Sequence, residues 1–381
     1  MPANKIIHNP FVYGKVVKGA QFVNRVNERN ELITEIENHT NIILFAPRRY
    51  GKTSLIMQIF DDLHKKHKNF TGLYFDFYCI NSKEKFLNMM ASVYAKNSGL
   101  TLEKLINVFR NTFKGIVPSI SLDQIGNPSV ELKFTAPVDN SAMEDALNLP
   151  KKLADSGKLV AVFFDEFQEI TALNGNDFQK ELRSVLQYHS NVSYIFCGSK
   201  HHLFNEIFTH INSPLYNIGK MIYLKTIPEN EYIQFLLKPL KKLNNSFKPE
   251  HISQIYQLAG GIPYYVQMLA HELYNLCLLN QNLDPVKLIE QSNQKIISDK
   301  NEEFLIIYEN LNLSSKKSLD IILVNQGKNL FTSETLSKNQ LASSTLKKAL
   351  NSLIERGIIN RENGNYYFQD VFFKQWLERR L

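Results

Sequence analysis

Cysteine is scarce in this sequence. Among 381 residues only Cys79, Cys197 and Cys277 carry a thiol. They are odd in number, far apart and set inside apolar runs, which fits neither a metal-ligand spacing nor a disulfide framework. All three are expected in the core of a protein kept in a reducing compartment. No stretch approaches the ~20 apolar residues needed to span a bilayer. The segment Met1 to Phe11 also lacks the charged start and apolar run of a secretory leader. A cytoplasmic protein without membrane contact is therefore expected. Internal repeats, low-complexity tracts and long linkers are absent too.

Charge of one sign is only mildly in excess, at +7 overall. Its distribution is uneven, because Leu311–Leu381 holds 11 Lys and Arg against 6 Asp and Glu, a balance of +5. An anionic partner for the last fifth of the chain is one reading of that excess, and a solvated face is the other.

A chain this long exceeds what one hydrophobic core usually supports. Short apolar runs recur at Asn41–Phe45, Leu73–Cys79, Leu159–Phe164, Val192–Cys197 and Met221–Leu224, with helical spacing between them. Such runs read as parallel strands buried on both faces, which makes residues 1–227 an α/β core of nucleotide-binding layout. The stretch Gly115–Val138 breaks this rhythm with alternating apolar and polar residues between prolines and glycines, and an inserted hairpin is expected there. Residues 228–310 read as a helical lid of four helices: Glu229–Lys241, Pro249–Leu258, Tyr264–Leu279 and Pro285–Ser298. From 311 to 381 three helices (Lys316–Val324, Ser333–Lys338, Ser343–Arg356) precede two extended runs around Asn363-Gly364, a preferred hairpin turn. That is the layout of a winged helix.

The segment Ala46-Pro47-Arg48-Arg49-Tyr50-Gly51-Lys52-Thr53 sits between an apolar run and the amphipathic stretch Ser54–His64. A strand, a loop and a helix in this order form a phosphate-binding loop, whose backbone N–H groups and helix N-terminus face the anion. Gly51 permits close backbone approach, Lys52 reaches the outer phosphates, and the Thr53 hydroxyl reaches Mg2+. Ala46 stands where many such loops have glycine. The strand Leu159–Phe164 delivers Asp165 and Glu166, the first suited to holding Mg2+ and the second to polarising the attacking water as general base. A third strand ends in Gly198-Ser199-Lys200, and Ser199 is placed to sense the γ-phosphate or the lytic water, or to cap the helix that follows. ATP or ADP with Mg2+ is the expected ligand.

With these elements in order, the chain resembles the AAA+ superfamily, and within it the STAND-type prokaryotic ATPases often called archaeal-type ATPases. The loop from Pro47 to Ser54 and Leu55 is similar to that family's P-loop, and Phe164-Asp165-Glu166-Phe167-Gln168 to its carboxylate strand. Phe22-Val23-Asn24-Arg25-Val26-Asn27-Glu28 resembles the family's amino-terminal box, which implies that Phe22, Val23 and Arg25 lie near the adenine. Asn24 replaces the family's usual glycine. Gly260-Gly261-Ile262-Pro263-Tyr264 is similar to the family's Gly-x-Pro signature, which implies that Pro263 packs at the nucleotide. Tyr366, Phe368, Phe372, Phe373 and Trp376 resemble its winged-helix ending.

Ile218 occupies the place where many relatives carry an arginine finger. Lys220 is a poor substitute, because an ammonium cannot fork across two oxygens. Arg183 is an alternative finger or simply a solvated helix residue. A slow, switch-like ATPase therefore fits better than a ring ATPase acting across subunits. Two other functions stay open. One is a DNA-binding module using Ser343, Ser344, Lys347, Lys348 and Arg361 of the winged helix. The other is a scaffold whose protein partner docks on the inserted hairpin.

Overall fold

The computed structural model describes residues 8–380 apart from 24, 114–115, 123–127, 135–139, 174, 281 and 363. Asn24, Asn363 and both ends of the expected insertion, Gly115 and Val138, lie outside the described residues. Contacts group the chain into two units, Val16–Thr226 and Ile227–Leu381, the second taking in the described part of Met1–Lys15.

In the first unit the strands run β1 (Ile42–Phe45), β2 (Phe70–Asp76), β3 (Ile116–Leu122), β4 (Pro128–Phe134), β5 (Leu159–Asp165), β6 (Val192–Gly198) and β7 (Lys220–Tyr223). Five of them form one sheet in the order β2-β5-β6-β1-β7, with every pairing parallel. All four residues of β1 and all seven of β6 are buried. The continuous apolar runs arise because helices cover both faces of a parallel sheet. The helix Lys52–Lys66 covers one face through Leu55, Ile56, Ile59 and Leu63, all fully buried at helical spacing.

The expected hairpin is present as the antiparallel pair β3–β4. It docks by burying Val130 and Leu132. Ser92 Oγ donates to the Val130 carbonyl (3.0 Å), and Leu132 N donates to Asn88 Oδ1 (2.7 Å). These two side chains occupy backbone groups of β4 that another strand could otherwise pair with.

One expected strand differs. The run Leu73–Cys79 reads as extended throughout, whereas β2 ends at Asp76 and Phe77–Cys79 turns as a 3-10 helix. Asp76 Oδ1 accepts from Tyr78 N (2.9 Å) and stops the strand. Cys79 is in consequence exposed rather than in the core, while Cys197 and Cys277 are buried as expected.

Just before the start of β6 lies a buried imidazole. His189 Nδ1 is 2.7 Å from Tyr194 Oη and Nε2 is 2.9 Å from Asn148 Oδ1. Burial, helped by Lys151 and opposed by Asp155, pushes its pKa down to about 4. The folded chain keeps this ring neutral while the unfolded chain protonates it near its ordinary pKa of about 6.5. Stability should therefore fall as pH drops from about 6.5 to 4, by up to about 3 kcal/mol from this group. Urea unfolding across that range should show a shallower pH slope in His189→Gln than in wild type. Equal slopes would remove His189 from the account.

The second unit is helical, with Glu229–Leu243, Pro249–Leu258, Pro263–Leu279, Pro285–Asp299 and Asn301–Glu309. Three of these open on proline, whose missing N–H costs nothing at a first helical position. Then come Leu313–Val324, Ser333–Asn339 and Ser343–Glu355, the antiparallel pair β8 (Ile359–Glu362) and β9 (Asn365–Phe368), and a last helix, Val371–Glu378. The packing joins the expected lid (228–310) and winged helix (311–381). Tyr265 Oη donates to the Gln369 carbonyl (3.0 Å), and Gln375 Nε2 donates to the Leu258 carbonyl (2.9 Å). Residues 8–15, expected in the 1–227 core, pack here instead. Phe11 is fully buried beside Phe235 and Tyr274, and Asn9 Nδ2 donates to the His271 carbonyl (2.9 Å). No helix among the described residues is long and apolar enough to cross a membrane.

Candidate active site

Parallel pairing brings the carboxyl ends of three strands to one edge. Phe45 of β1 pairs with Gly198 of β6, Phe164 of β5 pairs with Phe196, and Ala46 N donates to the Gly198 carbonyl (3.2 Å). The residues that leave β1, β5 and β6 therefore meet, at the edge where open α/β sheets hold ligands.

The loop from Pro47 turns through Arg49 (φ 72°) and Gly51 (φ 78°), both left-handed, and passes directly into the helix Lys52–Lys66. At Gly51 that conformation is free of Cβ strain. Arg48 and Arg49 are exposed, and Pro47 and Tyr50 are half-buried. The Lys52 ammonium lies 2.7 Å from Asp165 Oδ1 and 2.5 Å from Glu166 Oε1. Burial opposes its charge, but the carboxylates of Asp165 and Glu166 outweigh burial and hold its pKa above the ordinary lysine value. Thr53 Oγ1 donates to Asp165 Oδ2 (2.9 Å), which Tyr74 Oη also approaches at 3.1 Å.

Glu166 sits just past β5 with φ 48°, a left-handed conformation rare for a residue with a Cβ. The turn closes through Glu169 N on the Glu166 carbonyl (2.9 Å) and aims the side chain back along the sheet edge. Its Oε2 accepts from Ser199 Oγ (2.8 Å) and Gln168 Nε2 (2.5 Å). Burial raises its pKa, yet Lys52 and the hydrogen bonds from Lys52, Gln168 and Ser199 outweigh that and keep the carboxyl below its ordinary value. The side chain is ionised at neutral pH.

Lys52, Thr53, Asp165, Glu166 and Ser199 thus converge within hydrogen-bond reach of one another. Other sequence candidates take supporting positions. Ser54 Oγ accepts from Val17 N (3.1 Å), and Gln58 Oε1, one helical turn on, accepts from Gly19 N (2.7 Å), so the segment before Phe22 is tied to the loop's own helix. Phe22 is half-buried and Val23 buried. Arg25 is 1% exposed and holds the loop from behind, donating to the Tyr50 carbonyl (2.9 Å) and the Lys225 carbonyl (2.9 Å). Pro263 belongs to the other unit, where it opens the helix Pro263–Leu279.

Neither alternative finger points into this cluster. Arg183 Nη1 donates to the Tyr216 carbonyl (3.0 Å), and Lys220 pairs with Glu31 (2.8 Å) and Glu35 (2.6 Å). Sequence reasoning missed Tyr74 and Gln58 as neighbours of the site, and it had Gln168 within the motif similar to the family's carboxylate strand but gave it no role. Only Gln168, two residues past Glu166, carried a local hint.

Among the described residues no group of three or more His, Cys, Asp or Glu could hold a metal by itself. The hydroxyl of Thr53 and the carboxylate of Asp165 offer two hard oxygens beside the loop. That donor set suits Mg2+, which takes one or two protein oxygens and completes its shell with water and phosphate.

Comparison with known proteins finds related ATPase domains. Residues 22–269 match a family described as "ATPase domain predominantly from Archaea", and residues 303–379 match one described as "Probable winged helix domain". An uncharacterized ATP-binding protein of Methanocaldococcus jannaschii is 23% identical over 273 residues, covering 66% of this chain and 70% of that protein. Among solved structures, the Walker-type ATPase of Pyrococcus abyssi superposes with a TM-score of 0.65 at 16% identity, covering 97% of this chain and 99% of its own. The ORC2 protein of Aeropyrum pernix, in its ADPNP and ADP complexes, gives 0.55 at 13% identity over 93% of each chain. At such identities the structural likeness establishes the fold, a parallel-sheet P-loop ATPase core followed by a helical region with a winged helix.

Proposed function

Because the chain belongs to the family of ATPase domains found predominantly in Archaea, we infer that it binds ATP with Mg2+ at the β1–β5–β6 edge and hydrolyses it slowly, as a nucleotide-controlled switch of the STAND type. The observation that carries this reading is the placement of Lys52 against both carboxylates at the mouth of the loop. A triphosphate in the loop competes for the Lys52 ammonium, which then leaves Glu166 for phosphate oxygens. Thr53 and Asp165 are the residues that would hold Mg2+. Bound there, the ion would supply positive charge against the phosphate oxygens.

Glu166 then acts as general base. While Lys52 sits on Oε1 the carboxylate is a weak base, and loss of that contact removes the largest influence that lowers its proton affinity. Ser199 keeps its hydrogen bond to Oε2. Two features favour slow turnover: Ile218 in place of an arginine, and the commitment of Arg183 and Lys220 to contacts within the unit.

A second reading, DNA binding with nucleotide as regulator, draws on the matched winged helix. Ser343, Ser344, Lys347 and Lys348 are exposed on the helix Ser343–Glu355, and Arg361 is exposed on β8 with its guanidinium over Tyr366. Phosphate release measured with and without duplex DNA separates the readings. We expect Mg2+-dependent release that DNA leaves unchanged. Stimulation by DNA would favour the second reading, and no release in either condition would overturn the hydrolase assignment.

A further inference from the structure

We propose that Gln168 is a positioning residue for hydrolysis: together with Ser199 it anchors Oε2 of Glu166, so that Oε1 is the oxygen left to take the proton from the attacking water. This rests on the reading of Glu166 as general base.

The contacts divide the two carboxylate oxygens by role. Oε2 receives two neutral donors, Gln168 Nε2 at 2.5 Å and Ser199 Oγ at 2.8 Å, whereas Oε1 faces the Lys52 ammonium at 2.5 Å. Phosphate binding draws off the lysine and leaves both neutral donors in place. A carboxylate held at one oxygen by two donors from different elements cannot swing about its last bond, and the free oxygen keeps one direction. With Ser199 alone, that rotation returns.

Gln168 is itself wedged. It is 1% exposed, on the 3-10 turn Phe167–Leu173 that follows Glu166. Its Oε1 lies against the backbone of Gly198, where even an alanine Cβ would stand 2.5 Å from it. The close approach of the amide to β6 is open only because residue 198 has no side chain. The same Oε1 is buried without a hydrogen-bond donor among the described residues. A buried carbonyl oxygen left unmatched is a cost to folding. A position that served packing alone would be better filled by leucine or methionine. The amide is accounted for by its NH2 group, which points at the general base.

The test separates anchoring from space filling. Gln168→Met keeps length and volume but has no donor. Gln168→Glu keeps the shape and puts an acceptor where the donor was. ATP affinity and single-turnover hydrolysis of the full chain with Mg2+ are measured for both and for wild type, with urea unfolding as a check on folding. We expect affinity within about two-fold of wild type and hydrolysis slowed about ten-fold or more in both variants, a loss in kcat without a matching change in KM. If Gln168 only filled space, Gln168→Met would hydrolyse ATP near the wild-type rate, and that result overturns the proposal. Faster hydrolysis in Gln168→Met would overturn it as well, showing that the amide restrains the base. Wild-type chain that binds ATP and never hydrolyses it would instead sink the reading of Glu166, and this inference with it.

Discussion

Replacing Lys52 with alanine should weaken ATP binding about a hundred-fold or more. The ammonium is buried at the start of the loop helix, and its charge is sustained there by Asp165 and Glu166. In the nucleotide complex it would give charge-assisted hydrogen bonds to phosphate oxygens, each contributing about 1.5–3 kcal/mol. Part of that gain is offset because Lys52 gives up two carboxylate contacts, so a net loss of about 3 kcal/mol is the reasonable scale, and 1.4 kcal/mol is a factor of ten. The alanine variant also leaves two neighbouring carboxylates without their cation. Breaking a buried pair from one side is destabilising, so unfolding in urea must be followed alongside an equilibrium titration with ATP. A folded variant with wild-type affinity would show that the loop does not use Lys52 for phosphate.

Glu166→Gln should separate binding from chemistry. The amide preserves shape, and Lys52 keeps Asp165 at 2.7 Å, so ATP affinity should stay within a few-fold of wild type. Loss of a general base lowers rates by about 10²–10⁴-fold. Single-turnover hydrolysis should fall by that order while binding survives, the opposite split from Lys52→Ala. Turnover at the wild-type rate would show that Glu166 is not the base and would return attention to Ser199 and ordered water.

The central strands β1, β5 and β6 were legible in the sequence because a parallel sheet covered on both faces demands unbroken apolar runs, and those runs stand out against helical spacing. Hairpin β3–β4 was legible from its alternation and its punctuation. The strand ending in Asp165 and Glu166 and the loop around Lys52 carry their chemistry in order along the chain. What escaped was set by distant partners. Gln168 acts on Glu166 because a left-handed turn folds it back against Gly198, and Gln58 reaches Gly19, thirty-nine residues earlier in the chain. Phe11 packs beside Phe235 and Tyr274 rather than with the sheet, which no local pattern announces. The helix Asn301–Glu309 follows the preceding one after a single residue, so its boundary carries no break in spacing. Val371–Glu378 was visible only as scattered aromatics. Its start depends on Asp370 Oδ1, which accepts from Phe372 N and Phe373 N. Cys79 was misplaced because an apolar run continues one turn past the point where Asp76 ends the strand.

The most direct test of the central claim is a single-turnover experiment on the full chain, with protein in excess over ATP and Mg2+ present. Every bound ATP should convert to ADP and phosphate in a slow first-order process in the wild type, with no conversion over the same interval in Glu166→Gln although it binds ATP. ATP recovered intact from the wild-type complex, or conversion that proceeds equally in Glu166→Gln, would contradict hydrolysis at this site.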